Sequence, residues 1–204
     1  MNDGEFVTKL KNAVEVATKK QIEINRRDRD ETGDESYEYE ANFKATLYHE
    51  LLIQGGFYYA DVRVESKLDT GNSRTSSYRY DLVVDLDEAE TQYAIEVKLV
   101  KRLKGLREWI SKEESDSRDG TVFRDLKKLS EANLDAGNEF YKTKGVMIIS
   151  YCGTESSSPD NEQKIENNIK QGLNAICRKI ESKDIKLIYT AGKSCIMRGI
   201  DEIV

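Results

Sequence analysis

The residues of this sequence best suited to chemistry are two acids and a lysine, Asp81, Glu96 and Lys98. They lie in the segment YRYDLVVDL-DEAE-TQYAIEVKLV, in which apolar residues alternate with others on both sides of a short acidic run. Strict alternation is typical of β-strands, so the segment predicts two strands joined by a tight turn. Whether the three residues act together depends on how these strands pair.

The register of the predicted hairpin brings the two acids together. A turn over residues 87–90 has a common hairpin length, and it places Leu86 opposite Thr91. Counting back along the ladder then places Asp81 opposite Glu96, on one face and with Cβ atoms about 5 Å apart. Two carboxylates at that distance repel each other, so one must stay protonated or a cation must lie between them.

Lys98 lies on the same face, two residues beyond Glu96. Two carboxylates and a lysine on paired strands are suited to metal-dependent cleavage of phosphodiester bonds. The alternative is an exposed polar face on which Lys98 and Glu96 form a surface ion pair of little energetic weight. A face of that kind normally places opposite charges across a strand pair rather than two acids, which favours a functional site.

Composition indicates a globular protein. The length of 204 residues predicts one domain, and 34% of the residues are charged. The sequence contains no run of about 18 apolar residues, so we expect no membrane span. Cys152, Cys177 and Cys195 are widely spaced, so we expect reduced thiols and a cytoplasmic protein. His49 is the only histidine, which excludes sites that need two.

The net charge of -6 counts against a protein that is basic over its whole surface. One stretch, KLVKRLKGLR, carries no acid and runs outward from the candidate site. We interpret it as a segment that contacts phosphates, although without the neighbouring acids it would indicate an ordinary solvated segment. Its predicted nucleic-acid contacts are Lys101, Arg102, Lys104 and Arg107.

Periodicity predicts the elements that must position these residues. We expect helices over residues 5–24, 38–54, 121–136 and 162–181, and strands over residues 57–68, 78–86, 91–99, 145–151 and 185–190. The charged residues 25–37 predict a mobile linker, and residues 69–77 and 111–120 predict loops. The order is α, then α-β-β-β-α-β, then α-β.

Three consecutive strands followed by a helix that crosses to another strand predict a three-layer α/β/α fold with a central mixed β-sheet. We expect a single domain over residues 1–204. It would comprise an N-terminal helix and charged linker (1–37), a core (38–152) and a C-terminal helix and strand extension (153–204).

The sequence resembles the PD-(D/E)xK nuclease superfamily, which has the restriction-endonuclease-like fold with an αβββαβ core. The likeness rests on Asp81 at the start of D-L-V-V, on Glu96-Val97-Lys98 in the next strand, and on an acid in the first core helix. It covers about residues 38–152. Tyr80 replaces the proline that usually precedes the aspartate.

The resemblance implies a metal-dependent endonuclease, with DNA as the expected substrate. Asp81 and Glu96 would bind Mg²⁺, or Mn²⁺ as its substitute, with the Val97 backbone carbonyl as a further ligand. Lys98 would orient the attacking water or stabilise the transition state. A homodimer would suit the two strands of a duplex, although nothing in the sequence shows pairing.

Two glutamates are candidates for the helix carboxylate that the resemblance implies. Glu40 shares its helical phase with residues that cover the sheet, whereas Glu50 lies about 60° away from that stripe. We favour Glu40 and keep Glu50 as the alternative. The resemblance also implies a supporting polar residue on the helix after E-x-K. Lys128 is our candidate for a nucleic-acid contact there, and a solvated helix face is the plainer interpretation.

Two other functions stay open at this point. The acidic net charge suits a catalytically inactive module of the same fold that binds a nucleic acid or a protein partner. An unrelated α/β protein with an accidental E-x-K is the third hypothesis, and it would be supported if Asp81 and Glu96 lay on opposite faces of the sheet.

Overall fold

The protein is described here by a computed structural model, which covers residues 1–32, 39–58, 60–68, 78–86, 90–113, 121–134, 142–153, 159–180, 184–191 and 194–203. The helices are α1 (Asp3–Thr32), α2 (Tyr39–Gly55), α3 (Leu106–Ser111), α4 (Val122–Leu134) and α5 (Pro159–Cys177). The strands are β1 (Val62–Ser66), β2 (Tyr80–Leu86), β3 (Thr91–Val100), β4 (Lys142–Tyr151), β5 (Ile185–Ala191) and β6 (Ser194–Gly199).

The strands form one six-stranded sheet in the order β1-β2-β3-β4-β5-β6. β1, β2 and β3 are antiparallel neighbours, β3, β4 and β5 are parallel, and β6 returns antiparallel to β5. The mixed sheet confirms the predicted α/β class. The run from α2 to β4 follows the predicted αβββαβ order, with the short α3 added before α4.

Two hydrophobic clusters cover the two faces of the sheet. In β4, Val146 and Ile148 belong to the cluster under α1 and α2, whereas Met147 and Ile149 belong to the cluster under α3, α4 and α5. Successive side chains of a strand point to opposite faces, so the apolar run of β4 fills both clusters. Full burial of each such side chain contributes about 1.5 to 3 kcal/mol. The helices therefore lie on both faces of the sheet and complete three layers.

The predicted hairpin register is confirmed. Leu86 pairs with Thr91 and Leu82 pairs with Ile95, with a one-to-one ladder between them. The one-to-one ladder ends at Leu82 and Ile95, so Asp81 and Glu96 are the next residues along the two strands. By alternation they belong to the face of Val83 and Ala94, which lie in the cluster under α4. A two-residue side-chain period leaves little freedom for a slip, because a shift by one residue would turn every buried side chain outward.

The linker predicted over residues 25–37 is wrong in its first part, because α1 continues to Thr32. After Gly4 in the first turn of α1, no glycine or proline interrupts the chain before Gly33, and charged side chains are compatible with a helix. Asn25 is buried, and its Nδ2 donates to the carbonyl oxygen of Cys152 at 2.8 Å. This contact joins the helix to the end of β4. Residues 33–38 lie outside the described part of the chain.

Several boundaries also differ from the predictions. β1 is shorter than the strand expected over residues 57–68, and α3, for which the sequence predicted no element, begins at the end of the basic stretch. α5 begins at Pro159, where a first-turn proline costs no helical hydrogen bond. The strand β6 occupies the tail, for which the sequence predicted no element. The expected loop at residues 69–77, and residues 114–120 and 135–136, lie outside the described residues.

Two composition-based expectations can be compared with the described residues. None of the helices there is both long and apolar enough to cross a membrane. Cys152, Cys177 and Cys195 are buried free thiols, as expected for reduced cysteines.

Candidate active site

Asp81 lies at the start of β2 and is held from two sides. Its Oδ2 accepts a hydrogen bond from the backbone N–H of Val97 at 2.7 Å, and Lys44 Nζ lies 2.6 Å from its Oδ1. The bond to Val97 joins Asp81 to β3 just beyond Leu82 and Ile95, where the one-to-one ladder ends. Asp81 is less than a tenth exposed, so its carboxylate is fixed at the end of the strand pair rather than free in solvent.

Glu96 lies on the adjacent strand and is almost completely buried. Lys128 of α4 donates to its Oε1. Burial raises the pKa of Glu96 to about 8, and the negative charges of Asp81 and Asp125 add to the effect, while Lys128 opposes it. The negative charge of Asp81 therefore disfavours ionisation of Glu96, which is the repulsion between the two acids that the sequence predicted. The hypothesis that placed them on opposite faces of the sheet is not supported.

Lys98 is also buried and pairs with an acid of α4. Its Nζ lies 3.0 Å from Oδ2 of Asp125. Burial lowers the pKa of Lys98, but Asp125, and then Glu40, outweigh it, so the pKa is raised above the usual value. Because Asp81, Glu96 and Lys98 are each less than a tenth exposed, the alternative of a solvated polar face is wrong.

Lys44 is a member of the site that the sequence did not reveal. Besides Asp81, its Nζ lies 3.1 Å from Glu40 and 3.4 Å from Glu65. Burial lowers the pKa of Lys44, but Asp81, and then Glu40, raise it well above the usual value. One signal could have identified Lys44: it precedes Leu47 by three residues and so belongs to the stripe of α2 that covers the sheet.

The backbone beside Lys44 has an uncommon conformation. Glu65 has a φ of 46°, in the left-handed region that residues other than glycine rarely adopt. The β1–β2 pairing passes from Val64 and Leu82 to Ser66 and Tyr80. Glu65 therefore occupies the place on the edge strand beside Asp81, and its side chain is turned so that it contacts Lys44.

The structure separates the two candidate helix carboxylates. Glu40 has a side chain 42% exposed and pairs with Lys44, which in turn binds Asp81. Glu50 has a side chain 3% exposed and faces α1, where Lys20 Nζ lies 2.5 Å from its Oε1. The hydrogen bond from Lys20 lowers the pKa of Glu50. Only Glu40 is therefore brought to the acids of the hairpin.

The remaining predicted contacts fall into two groups. Arg102, Lys104 and Arg107 are exposed, and Lys101 is partly buried, along the segment that leaves β3 and forms α3. Lys128 is instead tucked into the site, where its ammonium group lies 4.6 Å from the centre of the Tyr80 ring. Asp125, three residues before Lys128, was not among the predicted site residues, although it pairs with Lys98.

The donor set decides which metal the site suits. Among the described residues no three His, Cys, Asp or Glu side chains come together as a metal-binding group. The candidate metal ligands of this site are therefore two carboxylates, those of Asp81 and Glu96, rather than a larger cluster. Mg²⁺ suits such a pair, because it binds oxygen, keeps several waters and commonly uses one or two carboxylates together with phosphate oxygens. A zinc site of the usual nitrogen and sulfur ligands does not fit these residues.

No protein-family model matches the chain, and no curated protein matches it. A structural similarity exists to SfsA of Pyrococcus furiosus, solved in complex with Ca²⁺, at 13% sequence identity and a TM-score of 0.32. The match covers 78% of this chain and 63% of that one, so this chain spans less than two thirds of SfsA. A similarity this weak does not support an assignment of function, so the function proposed below rests on the site itself.

Proposed function

We propose that this protein is a metal-dependent nuclease that hydrolyses phosphodiester bonds in DNA. One observation carries the proposal: Asp81 and Glu96 are buried carboxylates at the same end of two neighbouring strands, close enough for the charge of Asp81 to act on Glu96, and the buried ammonium of Lys98 lies two residues beyond Glu96. Burying like charges together is energetically costly, so a protein that does so commonly uses them for a function. A raised pKa in such a cluster is typical of functional sites.

In the proposed mechanism, Asp81 and Glu96 hold one Mg²⁺ or Mn²⁺. The N–H of Val97 points at Asp81, and its carbonyl leaves the strand on the same side, which makes that oxygen a candidate further ligand. A bound divalent cation supplies a more acidic water and neutralises charge on the phosphate. Lys98, fixed by Asp125, orients the attacking water or stabilises the negative charge of the transition state.

DNA is the proposed partner because exposed cations lie along the chain directly after the site. Arg102 and Lys104 follow β3, and Arg107 lies in α3; their exposed side chains are able to contact phosphates without reading bases. Such contacts would hold a duplex against an otherwise acidic protein.

The direct test is cleavage of plasmid, linear and single-stranded DNA with Mg²⁺ or Mn²⁺, comparing wild type with Asp81→Asn and Glu96→Gln. Asp85→Asn is the matched control, since Asp85 lies four residues along the same strand and is held by Arg63 and Gln92. We expect the first two variants to lose activity by at least about a hundredfold and the control to retain it. Equal activity in all four proteins would refute the assignment.

A second candidate is a module of the same fold that binds nucleic acid or a protein without cleaving anything. It is favoured by a specific observation: Lys44 and Lys128 already occupy carboxylate oxygens of Asp81 and Glu96. Calorimetric titration with Mn²⁺ separates the two candidates. Binding that disappears in Asp81→Asn supports the nuclease, and no binding by the wild type supports the inactive module.

A further inference from the structure

The two acids of the candidate site are met by lysines from opposite faces of the sheet. Lys44 belongs to α2, whose apolar side chains pack into one hydrophobic cluster, and Lys128 belongs to α4, which packs into the other. Lys44 reaches Asp81, and Lys128 reaches Glu96. Each carboxylate thus has its own ammonium partner. A divalent cation that binds both acids must compete with these two lysines for the same oxygens.

When Asp81, Glu96 and Asp125 are all ionised, the buried charges of the site balance before any metal binds. Three acids, Asp81, Glu96 and Asp125, are each less than a tenth exposed. Their lysine partners, Lys44, Lys128 and Lys98, have side chains 16%, 17% and 10% exposed. A divalent cation therefore leaves an excess of positive charge in a place where water screens weakly. An anionic ligand bound at the same time would offset that excess.

We propose that Lys44 and Lys128 are phosphate-binding residues of this site, released from Asp81 and Glu96 when a divalent cation takes over the two carboxylates. The inference rests on the proposed nuclease function and names the groups that would hold the phosphodiester. A lysine suits this exchange, because its ammonium is a compact charge on a flexible four-carbon stem and binds carboxylate or phosphate oxygens.

The proposal predicts that metal and DNA bind cooperatively. The metal frees the two lysines for phosphate, and the phosphate offsets the charge that the metal adds. Because the coupling free energy is reciprocal, each ligand strengthens the other by the same factor. Lysines with a purely structural role would show no such coupling.

The experiment uses Lys44→Met and Lys128→Met with two measurements. Calorimetry gives the affinity of the protein alone for Mn²⁺, and fluorescence anisotropy gives its affinity for a short DNA duplex in Ca²⁺, with gels to show that the DNA stays intact. We expect the Mn²⁺ dissociation constant to fall about tenfold in each variant, because the competing ammonium is gone. We expect the DNA dissociation constant to rise about tenfold, with a salt dependence lower by about one phosphate contact.

Lys20→Met is the matched control. Lys20 pairs with the buried Glu50 and has no contact with the acids of the hairpin among the described residues. Both affinities should stay at the wild-type value in this variant. Opposite changes for metal and DNA in Lys44→Met and Lys128→Met, absent from the control, support the proposal. A parallel loss of both affinities, or no change in either, overturns it.

A measurement on the wild type protects the test against variants that fail to fold. The DNA affinity in Ca²⁺ should exceed that in a chelator by about tenfold, and equal affinities overturn the inference. The proposed function fails separately: a wild type that neither binds Mn²⁺ nor cleaves DNA refutes the function and this inference together. A wild type that does both, without coupling, refutes the inference alone.

Discussion

The ammonium group of Lys98 lies 3.0 Å from Oδ2 of Asp125, and both side chains are about nine-tenths buried. This pair joins the last part of β3 to the first turn of α4. A buried ion pair adds little to stability by itself, but removing one partner leaves an uncompensated charge. The pair therefore fixes where the Lys98 ammonium can lie, which the proposed mechanism needs.

Asp125→Asn should destabilise the protein by about 3 kcal/mol, the lower end for a broken buried pair. The cost is at that lower end because Glu40 and Asp81 also attract Lys98. Urea denaturation measures the loss. The double variant Lys98→Met with Asp125→Asn should recover a large part of it, since both charges are then gone.

The control for this prediction is the exposed pair of Glu113 and Lys179. Both side chains are about half exposed, so Glu113→Gln should change the unfolding free energy by less than about 0.5 kcal/mol. Equal losses in Asp125→Asn and Glu113→Gln would show that the buried pair has no special weight.

The hairpin acids could be predicted because their placement depends on local rules. A two-residue strand period and the pairing of Leu86 with Thr91 bring Asp81 and Glu96 to the same end of the strand pair, whatever the rest of the fold does. Their lysine partners depend on tertiary packing instead. Lys44 reaches Asp81 from α2, and Lys128 reaches Glu96 only because α4 crosses back over the sheet.

The sequence predictions that were wrong also failed because of tertiary packing. The end of α1 was misassigned because the contact that orders it, from Asn25 to Cys152, spans 127 residues of sequence. Likewise, helical phase placed Glu50 off the buried stripe of α2, and yet it is buried because α1 covers that flank. Periodicity measures a helix against one buried surface, so it misses a second helix that packs beside the first.

The metal-free protein should lose stability as the pH rises, through Glu96. Burial, and then the charge of Asp81, raise the pKa of Glu96 from 4.5 to about 8 in the folded state. The folded state thus binds this proton more tightly than the unfolded state does. The stabilisation is complete below pH 4.5 and is lost as the pH rises through about 8.

Thermal unfolding in a chelator at about pH 5, 7 and 9 checks this prediction. The melting temperature of Glu96→Gln, measured relative to wild type, should rise across the series, because a glutamine cannot ionise. Glu113→Gln serves again as the exposed control and should show no such trend. A constant difference between Glu96→Gln and wild type would contradict the assigned cause.

The three cysteines should resist alkylation in the folded protein. Burial raises the pKa of Cys152 and Cys177 to about 12 and that of Cys195 to about 11. Only the thiolate reacts, so at about pH 8 fewer than about one thiol in a hundred is reactive. Mass spectrometry after iodoacetamide should show an unmodified native protein and three modifications after denaturation. Rapid labelling of the native protein would show that these side chains are accessible.

The two helix glutamates should respond in opposite ways to removal of their charge. Glu50→Gln leaves Lys20 without its buried partner and should cost about 1 to 2 kcal/mol of stability, with Mn²⁺ affinity unchanged. Glu40→Gln removes a half-exposed partner of Lys44 and should cost less than about 1 kcal/mol. It should also weaken Mn²⁺ binding, because Lys44 then has one acid fewer to hold it away from Asp81. Calorimetry measures the Mn²⁺ affinity of both variants, and urea denaturation measures their unfolding free energy. Weaker Mn²⁺ binding in Glu50→Gln but not in Glu40→Gln would reverse the assignment of the helix carboxylate.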